Sequence, residues 1–557
     1  MKSFKILVVL ISTIILIHSC QNENPQSNSE LSNLDLLRGN IVMCSGNSFG
    51  KVSFFLSCNN SVRDTFDLAI SLLHSFEYDE AEKAFAKVID SDPECPMAYW
   101  GIAMSLMHHP KFGPGREGFE KGAKVLKEAE LLPKTTQEQE FLKAAGAYYD
   151  NGWKSTTHLM RAKKMEAKME VIYKKNVDNK EAAIFYALSL FATANSKDKT
   201  YAIQKKAGAI LESIFPDQPD HPGIAHYIIH HYDHPELAQL ALPTARRYAD
   251  IAPGSSHAQH MPSHIFTRLG LWDESIESNV NSAAAAKCYA EETEMDGNWH
   301  NEIHAMDYLV YAYLQKGDNV KANEQYEHLQ TINKVYPGKS SPYNFSAIPV
   351  RMVLENRQWA KAARLKHHAT EHQWDQRPWE IALLHFAKAL GASHIGDVNS
   401  AEKELAILQS LHQKLVDKKD TYRSNQVLIQ VKASEAWILF AKGKQNEALA
   451  LMEEAATLEE MTGKHPITPG EVLPAPELLG DMLLAMNKPM QALETYEVNL
   501  KGHPNRFNGI YGAAIAAKSI GDKEKTRLYF ERLQELAKGI NSDRAELKEA
   551  NQFLIQI

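Results

Sequence analysis

The sequence predicts an all-α fold, a solenoid of stacked helical hairpins forming a superhelical array in two sub-arrays, and three observations predict it. From Asp64 onward apolar residues recur with helical periodicity, and strand-like alternation with hairpin turns is absent. A pattern of small, bulky and apolar residues returns at intervals of 34 residues. Pro and Gly collect in a few short stretches instead of inside the periodic segments. A helix pair cannot bury its apolar face alone, so such chains lengthen by adding units that cover one another.

The chain opens on a targeting segment. Lys2 and Lys5 precede an apolar run from Ile6 to Ile17, and Ile17-His18-Ser19-Cys20 places a small residue before a cysteine. The run is too short for an ordinary transmembrane helix. Residues 1–20 resemble a bacterial lipoprotein signal, which implies lipidation of Cys20; Gln21 behind it implies passage to the outer membrane. Residues 21–37 are read as a flexible tether and 38–62 as an irregular cap. An N-terminal array over 63–335 and a C-terminal array over 336–557 follow. Export makes disulfides available to Cys44, Cys58, Cys95 and Cys288. The first three are close in sequence and suggest one bridge among them, with Cys288 expected as a small buried apolar residue.

Within the arrays, each unit is justified by its second helix. Ala81, Phe85, Val88 and Pro93 set the pattern; Ala207, Leu211, Ile214 and Pro219 repeat it, and Ala241, Ala245, Tyr248 and Pro253 stand 34 residues further on. Ser275, Asn279 and Ser282 continue the interval. Later units keep the pattern at altered spacing, in Ala322/Tyr326/Leu329, Ala401/Leu405/Leu408, Ala448/Met452/Ala455, Ala492/Tyr496 and Thr526/Phe530. The interval of 34 is that of tetratricopeptide repeats, so the hairpins are expected to be of that type. Dense Pro and Gly place loops at His108–Gly115 and His465–Pro476, and a third joint is expected over Tyr336–Pro349.

The stretches FDLAISLLHSFEYDEAEKAF, AYWGIAMSL, HPGIAHYIIHHYDHP, HMPSHIFTRLGLWDESI, HAMDYLVYAYLQ, ELLGDMLLAM and HPNRFNGIYGAA together resemble a family of bacterial tetratricopeptide-repeat proteins, many carrying export signals. The resemblance runs from about residue 40 to 536. It implies the fold and a cell-envelope location, and it brings no established activity.

The most informative stretch is His221–Asn279, which holds eight of the 24 histidines. In repeats of this kind the first helix of each pair lines the concave groove. With Pro219 and Pro253 ending two units, His226 and His260 fall at one groove position, and His230 and His264 fall one turn later. Asp233, Thr267 and Arg268 follow on the same faces, and the next unit adds His304 and Asp307. His221, His231 and His257 fall off that face, and His108, His109, His367, His368 and His412 are expected at the surface.

Beside a purely structural reading, in which the histidines are packing residues, two functional readings of this face remain open. In one, a lipid-anchored envelope protein binds a peptide, protein segment or small ligand in its groove through His226, His230, Asp233, His260, His264, Arg268, His304 and Asp307, without chemistry of its own. In the other, His226, His230, His260, His264, His304 and Asp307 hold a transition metal, because i, i+4 histidines clamp one ion and adjacent helices supply further ligands. Nitrogen and carboxylate donors without thiolate suit Zn, Cu or Fe. Catalysis at such an ion would call on Asp233 or Glu302 as acid or base. The net charge of −8 and the lack of a Lys/Arg block argue against nucleic acid. His300-Asn301-Glu302-Ile303-His304 is not a zinc-protease helix, since its glutamate is one place late. No haem-attachment, nucleophile-elbow or phosphate-loop motif occurs.

Overall fold

The computed structural model describes residues 34–44, 46, 48–150, 152–195, 198–337, 341–368, 370 and 373–556. The signal segment, Cys20 and most of the tether lie outside the described residues. The fold is the expected one, an all-α array of tetratricopeptide-type hairpins in which each helix packs mainly on its chain neighbours. The repeat residues are what binds it together. Ala81, Phe85 and Val88, Ala207 and Leu211, Ala241, Ala245 and Tyr248, Ala401 and Leu408, and Ala448, Met452 and Ala455 are all buried. A small residue lets the paired helices approach, and the bulky one a turn later fills the space between hairpins. Tyr326, Pro219 and Pro253 are half-buried, and Pro93 is exposed. Continuous hydrophobic cores run from Leu34 to Phe266, from Ala347 to Met482 and from Leu483 to Ala550.

Both Pro/Gly-rich stretches are loops, between the helices Pro96–Leu106 and Arg116–Glu130 and between Gln445–Thr462 and Ala475–Ala485. The third joint is shorter than expected. Pro342–Glu355 is a helix, with Pro342 at its first turn, where a missing N–H costs nothing, and Pro349 held inside it by burial on all sides. A two-residue parallel pairing of Asn298–Trp299 with Val335–Tyr336 also appears, too short for alternation to announce it.

The N-terminal cap does more than cover an end. Its extended chain crosses the first hairpins, with Leu37, Val42, Ser57 and Asn59 donating backbone N–H groups to Glu82, Glu80, Glu138 and Asp92. Phe54 packs against Phe66, Trp100, Phe141 and Phe185, which belong to four successive first helices. The concave face of these hairpins is therefore filled by the chain's own segment. The expected bridge among the first three cysteines is there, between Cys58 and Cys95, and the path of the cap corrects the expectation for the fourth: Cys288 pairs with Cys44, across 244 residues. Cys288 is a bridge partner because the cap reaches as far as the helix Trp272–Glu292, a proximity that sequence distance conceals.

The C-terminal array folds back onto the same region. Trp272 Nε1 donates to the Asn505 carbonyl at 2.8 Å, and Asn505 Nδ2 donates to the Gly270 carbonyl at 3.1 Å. Gly270 has φ +65°, and a Cβ there would lie 2.3 Å from the Pro504 carbonyl oxygen, so only glycine allows this approach. Two wholly buried arginines complete the closure. Arg351 donates to Asp307 at 2.9 Å and to the Glu471 and Gly470 carbonyls at 2.7 Å each. Arg506 bonds to Glu355, Glu477 and Tyr311.

The long bridge closes a large loop, so Cys288→Ser is expected to cost roughly 2–5 kcal/mol of stability, read as a lowered urea midpoint. Peptide mapping without reduction should recover Cys44 joined to Cys288 and Cys58 joined to Cys95.

Candidate metal centre

Three first helices build the site. Pro222–Tyr232 starts where Pro222 presets the first turn and His221 caps it, its Nδ1 accepting the Gly223 and Ile224 N–H groups at 3.1 and 3.4 Å. Ser256–His260 is capped by Ser255 Oγ, which accepts the Ala258 N–H at 3.0 Å. It breaks at Met261 because Pro262 has no N–H to continue it; Pro262–Leu269 resumes and ends at Gly270. His300–Gln315 is the third.

The imidazoles expected on one face gather as two triads. His226 and His230 join His257, and His260 and His264 join His304; within each triad the nearest ligand nitrogens lie within 4.8 Å of one another. His257 is the member the repeat register put off the face. It stands three residues before His260, about 60° away around the same short helix, and so looks into the neighbouring compartment.

Hydrogen bonding decides what each ring offers. In the second triad Asn279 donates its amide to the Ser275 carbonyl at 2.7 Å, which leaves Asn279 Oδ1 as acceptor for His260 Nδ1 at 2.7 Å. His264 Nδ1 donates to Asp233 Oδ2 at 3.0 Å. Burial raises the Asp233 carboxyl, but Lys464 at 3.4 Å and Arg268 at 2.8 Å outweigh it and hold the group well below the usual range, ionised. Both Nδ1 atoms thus carry protons, and both Nε2 atoms present lone pairs that face each other at 3.1 Å, with the Tyr308 hydroxyl 3.4 Å from His264 Nε2. Two nitrogens bound at about 2.0–2.1 Å to a tetrahedral ion stand roughly 3.3 Å apart. In the first triad His226 Nδ1 donates to the His74 carbonyl at 2.6 Å, so its Nε2 lone pair faces His257 Nε2 at 3.0 Å.

Burial keeps these rings neutral. Desolvation pushes His226 and His304 down to about 3, and His230, His257 and His260 well below the ordinary histidine range. Neutral imidazole is the ligand form.

The other expected residues divide. Asp233 orients His264 and pairs with Arg268, as a carboxylate behind a ligating histidine does. Arg268 is spent on that pairing. Asp307 is corrected: it pairs with Arg351 and takes no part in either triad, because the fold-back of the second array brings a buried guanidinium to it. Glu302 accepts from Asn298 and His328, each at 2.8 Å, and belongs to neither triad. Of the histidines expected at the surface, His108 and His367 are exposed; His412 is half-buried, His109 is half-buried with its ring 5.9 Å from that of His230, and His368 is buried, bonded to the Leu329 carbonyl.

A third group, His74, Glu181 and His221, fails the same test. Glu181 accepts from both Nε2 atoms at 3.1 and 3.0 Å, His74 Nδ1 accepts from Tyr227 Oη, and His221 Nδ1 caps a helix. No imidazole lone pair is left, and the group is structural. Cys58 and Cys95 are likewise consumed by their bridge.

No family model matches this chain, and no curated protein matches it. Among solved structures, it is similar to the crystal structure of yeast Tom70, with 12% identity over 89% of this chain and 96% of that one, at a TM-score of 0.33. A monomeric mutant of IFIT1 with Gppp-AAAA aligns at 13% identity over 86% of this chain and 98% of that one, with a TM-score of 0.31. At these values neither informs on what this chain binds.

The lowered histidines set the acid response of the metal-free protein. Unfolded histidine titrates near 6.5, while buried His226, His231 and His304 titrate near about 3. Between these values the unfolded chain holds more protons, so stability falls as pH drops below about 6.5 and these groups add no pH dependence above about 7. Urea midpoints measured from pH 8 to 4 should be flat and then decline, with a slope exceeding one proton.

Proposed function

We propose that this is a ligand-binding helical-repeat protein whose ligand is a transition-metal ion, held by His260, His264 and His304. The observation that carries the reading is the pair of Nε2 lone pairs 3.1 Å apart, each made an acceptor by a hydrogen bond at its own Nδ1, with only the long contact of the Tyr308 hydroxyl beside them. Lone pairs at that distance repel, and a cation between them turns the repulsion into two bonds. The backing groups have the pattern of a tuned metal site: carboxylate on His264, amide oxygen on His260. An all-imidazole set favours Zn, Cu or Ni over Mg or Ca. The site is enclosed, with Tyr308 donating to the Ile467 carbonyl and Lys464 reaching Asp233 from the loop after Thr462. A buried site of this kind suits retention or sensing of an ion, and a peptide in the concave groove would compete with the cap segment already seated there.

The anchoring of this protein to the outer membrane through lipid on Cys20 is part of the same reading, supported by the charged start, apolar run and cysteine of the first twenty residues. Among the described residues no helix is long and apolar enough to cross a membrane.

Untagged protein, prepared with metal and exhaustively dialysed, is expected to retain at least one equivalent of a transition metal by elemental analysis. His260→Gln/His264→Gln is expected to lose that equivalent, and less than a tenth of an equivalent in the parent protein would refute the reading. Palmitate labelling and detergent-phase partitioning of the full chain are expected to vanish with Cys20→Ser.

A further inference from the structure

We infer that His226, His230 and His257 form a second transition-metal site, making the interior a two-ion centre. The inference rests on the metal reading of the first triad and extends it to residues that reading does not use.

Three observations at this place carry it independently. The first is the acceptor geometry: His226 Nδ1 is committed to the His74 carbonyl at 2.6 Å, so its Nε2 is a fixed lone pair 3.0 Å from His257 Nε2, which meets it with an N–H in one tautomer and leaves it to an ion in the other. The second is His230, one helical turn from His226, whose Nε2 is buried and has no hydrogen-bond partner. His231 Nδ1 and His300 Nδ1 are also buried without a partner among the described residues, but of the three only His230 belongs to a histidine triad, where an ion would satisfy it. The third is the wall. Phe76 packs on His226, His230 and His257 with ring centroids 4.3, 5.5 and 5.5 Å apart, Phe191 packs on His230 at 4.7 Å, and Tyr248 stacks on His226 at 5.2 Å. Three aromatic rings thus wall the three ligand nitrogens, with His226 buried and His230 and His257 half-buried.

Unlike His74, Glu181 and His221, this triad keeps a ring nitrogen, His230 Nε2, that no hydrogen bond among the described residues uses, beside the His226–His257 pair. The two sites differ in character. The His260 site is backed by an ionised carboxylate, Asp233, whereas the His226 site has a backbone carbonyl behind it and no carboxylate in its ligand set. A neutral, apolar-walled imidazole set selects Cu and Zn over harder ions. His109, with its ring 5.9 Å from that of His230, accepts the Lys111 N–H on Nδ1 at 3.2 Å, so its Nε2 carries the ring proton and the ligand set stays at three. The sites share one rigid element, since His257 and His260 lie three residues apart on the helix Ser256–His260.

Co2+ titration of the full-length, metal-free protein tests this, with visible absorption and elemental analysis as readouts. Two equivalents in the parent, one in His230→Gln/His257→Gln and one in His260→Gln/His264→Gln, with different spectra for the two remaining ions, are the expected results. One equivalent in the parent, lost with the His260/His264 pair and kept by the His230/His257 pair, overturns the second site while leaving the first. No bound Co2+ in any form overturns both. If either double variant does not fold, anomalous diffraction from the metal-loaded parent decides: a peak at each triad supports the inference, and a single peak at His260, His264 and His304 overturns it.

Discussion

The structure depends on keeping two guanidinium groups out of water. Arg351 and Arg506 are wholly buried, and a buried cation is tolerated only when its charge and donors are met inside. Asp307, Glu355 and Glu477 supply the charge, and the Gly470 and Glu471 carbonyls and Tyr311 complete the bonding. These partners come from both halves of the chain, so the ion pairs fix how the second array lies against the first. That closure brings Lys464 to Asp233, and Ile467 to Tyr308, over the histidines. Remove the arginine clamps and the imidazoles would face an open groove, charged and wet.

Enclosure also gives the histidines their chemistry. Desolvation keeps them neutral, and the bonds at Nδ1 aim the remaining lone pairs at one another. The contrast with His74 and His221 shows that burial alone is insufficient, because there Glu181, Tyr227 and backbone N–H groups satisfy every ring nitrogen. Directed vacancy, rather than histidine density, distinguishes the two triads.

Much of the fold was legible because the repeat residues act locally. Ala241, Ala245 and Tyr248 bury the same face wherever the hairpin sits, so their 34-residue return announces the array. The site was legible in part. His226, His230, His260, His264 and His304 share a helix face by spacing alone, and they do lie inside. Their division into two compartments was not legible, because it turns on the break at Pro262 and on His257, which a regular repeat register assigns elsewhere. Asp307 shares the spacing of a ligand but meets Arg351, a residue 44 positions away.

By itself, the sequence determined the helical hairpins, their stacking and the inward set of histidines, since all three follow from periodicities of a few residues to one repeat. Only the tertiary structure decided which cysteine meets Cys44, which carboxylate serves an imidazole and which serves an arginine, and which lone pairs remain free. Those outcomes are set by contacts between segments as far apart as 244 residues, where chain spacing carries no geometric information and packing selects the partner.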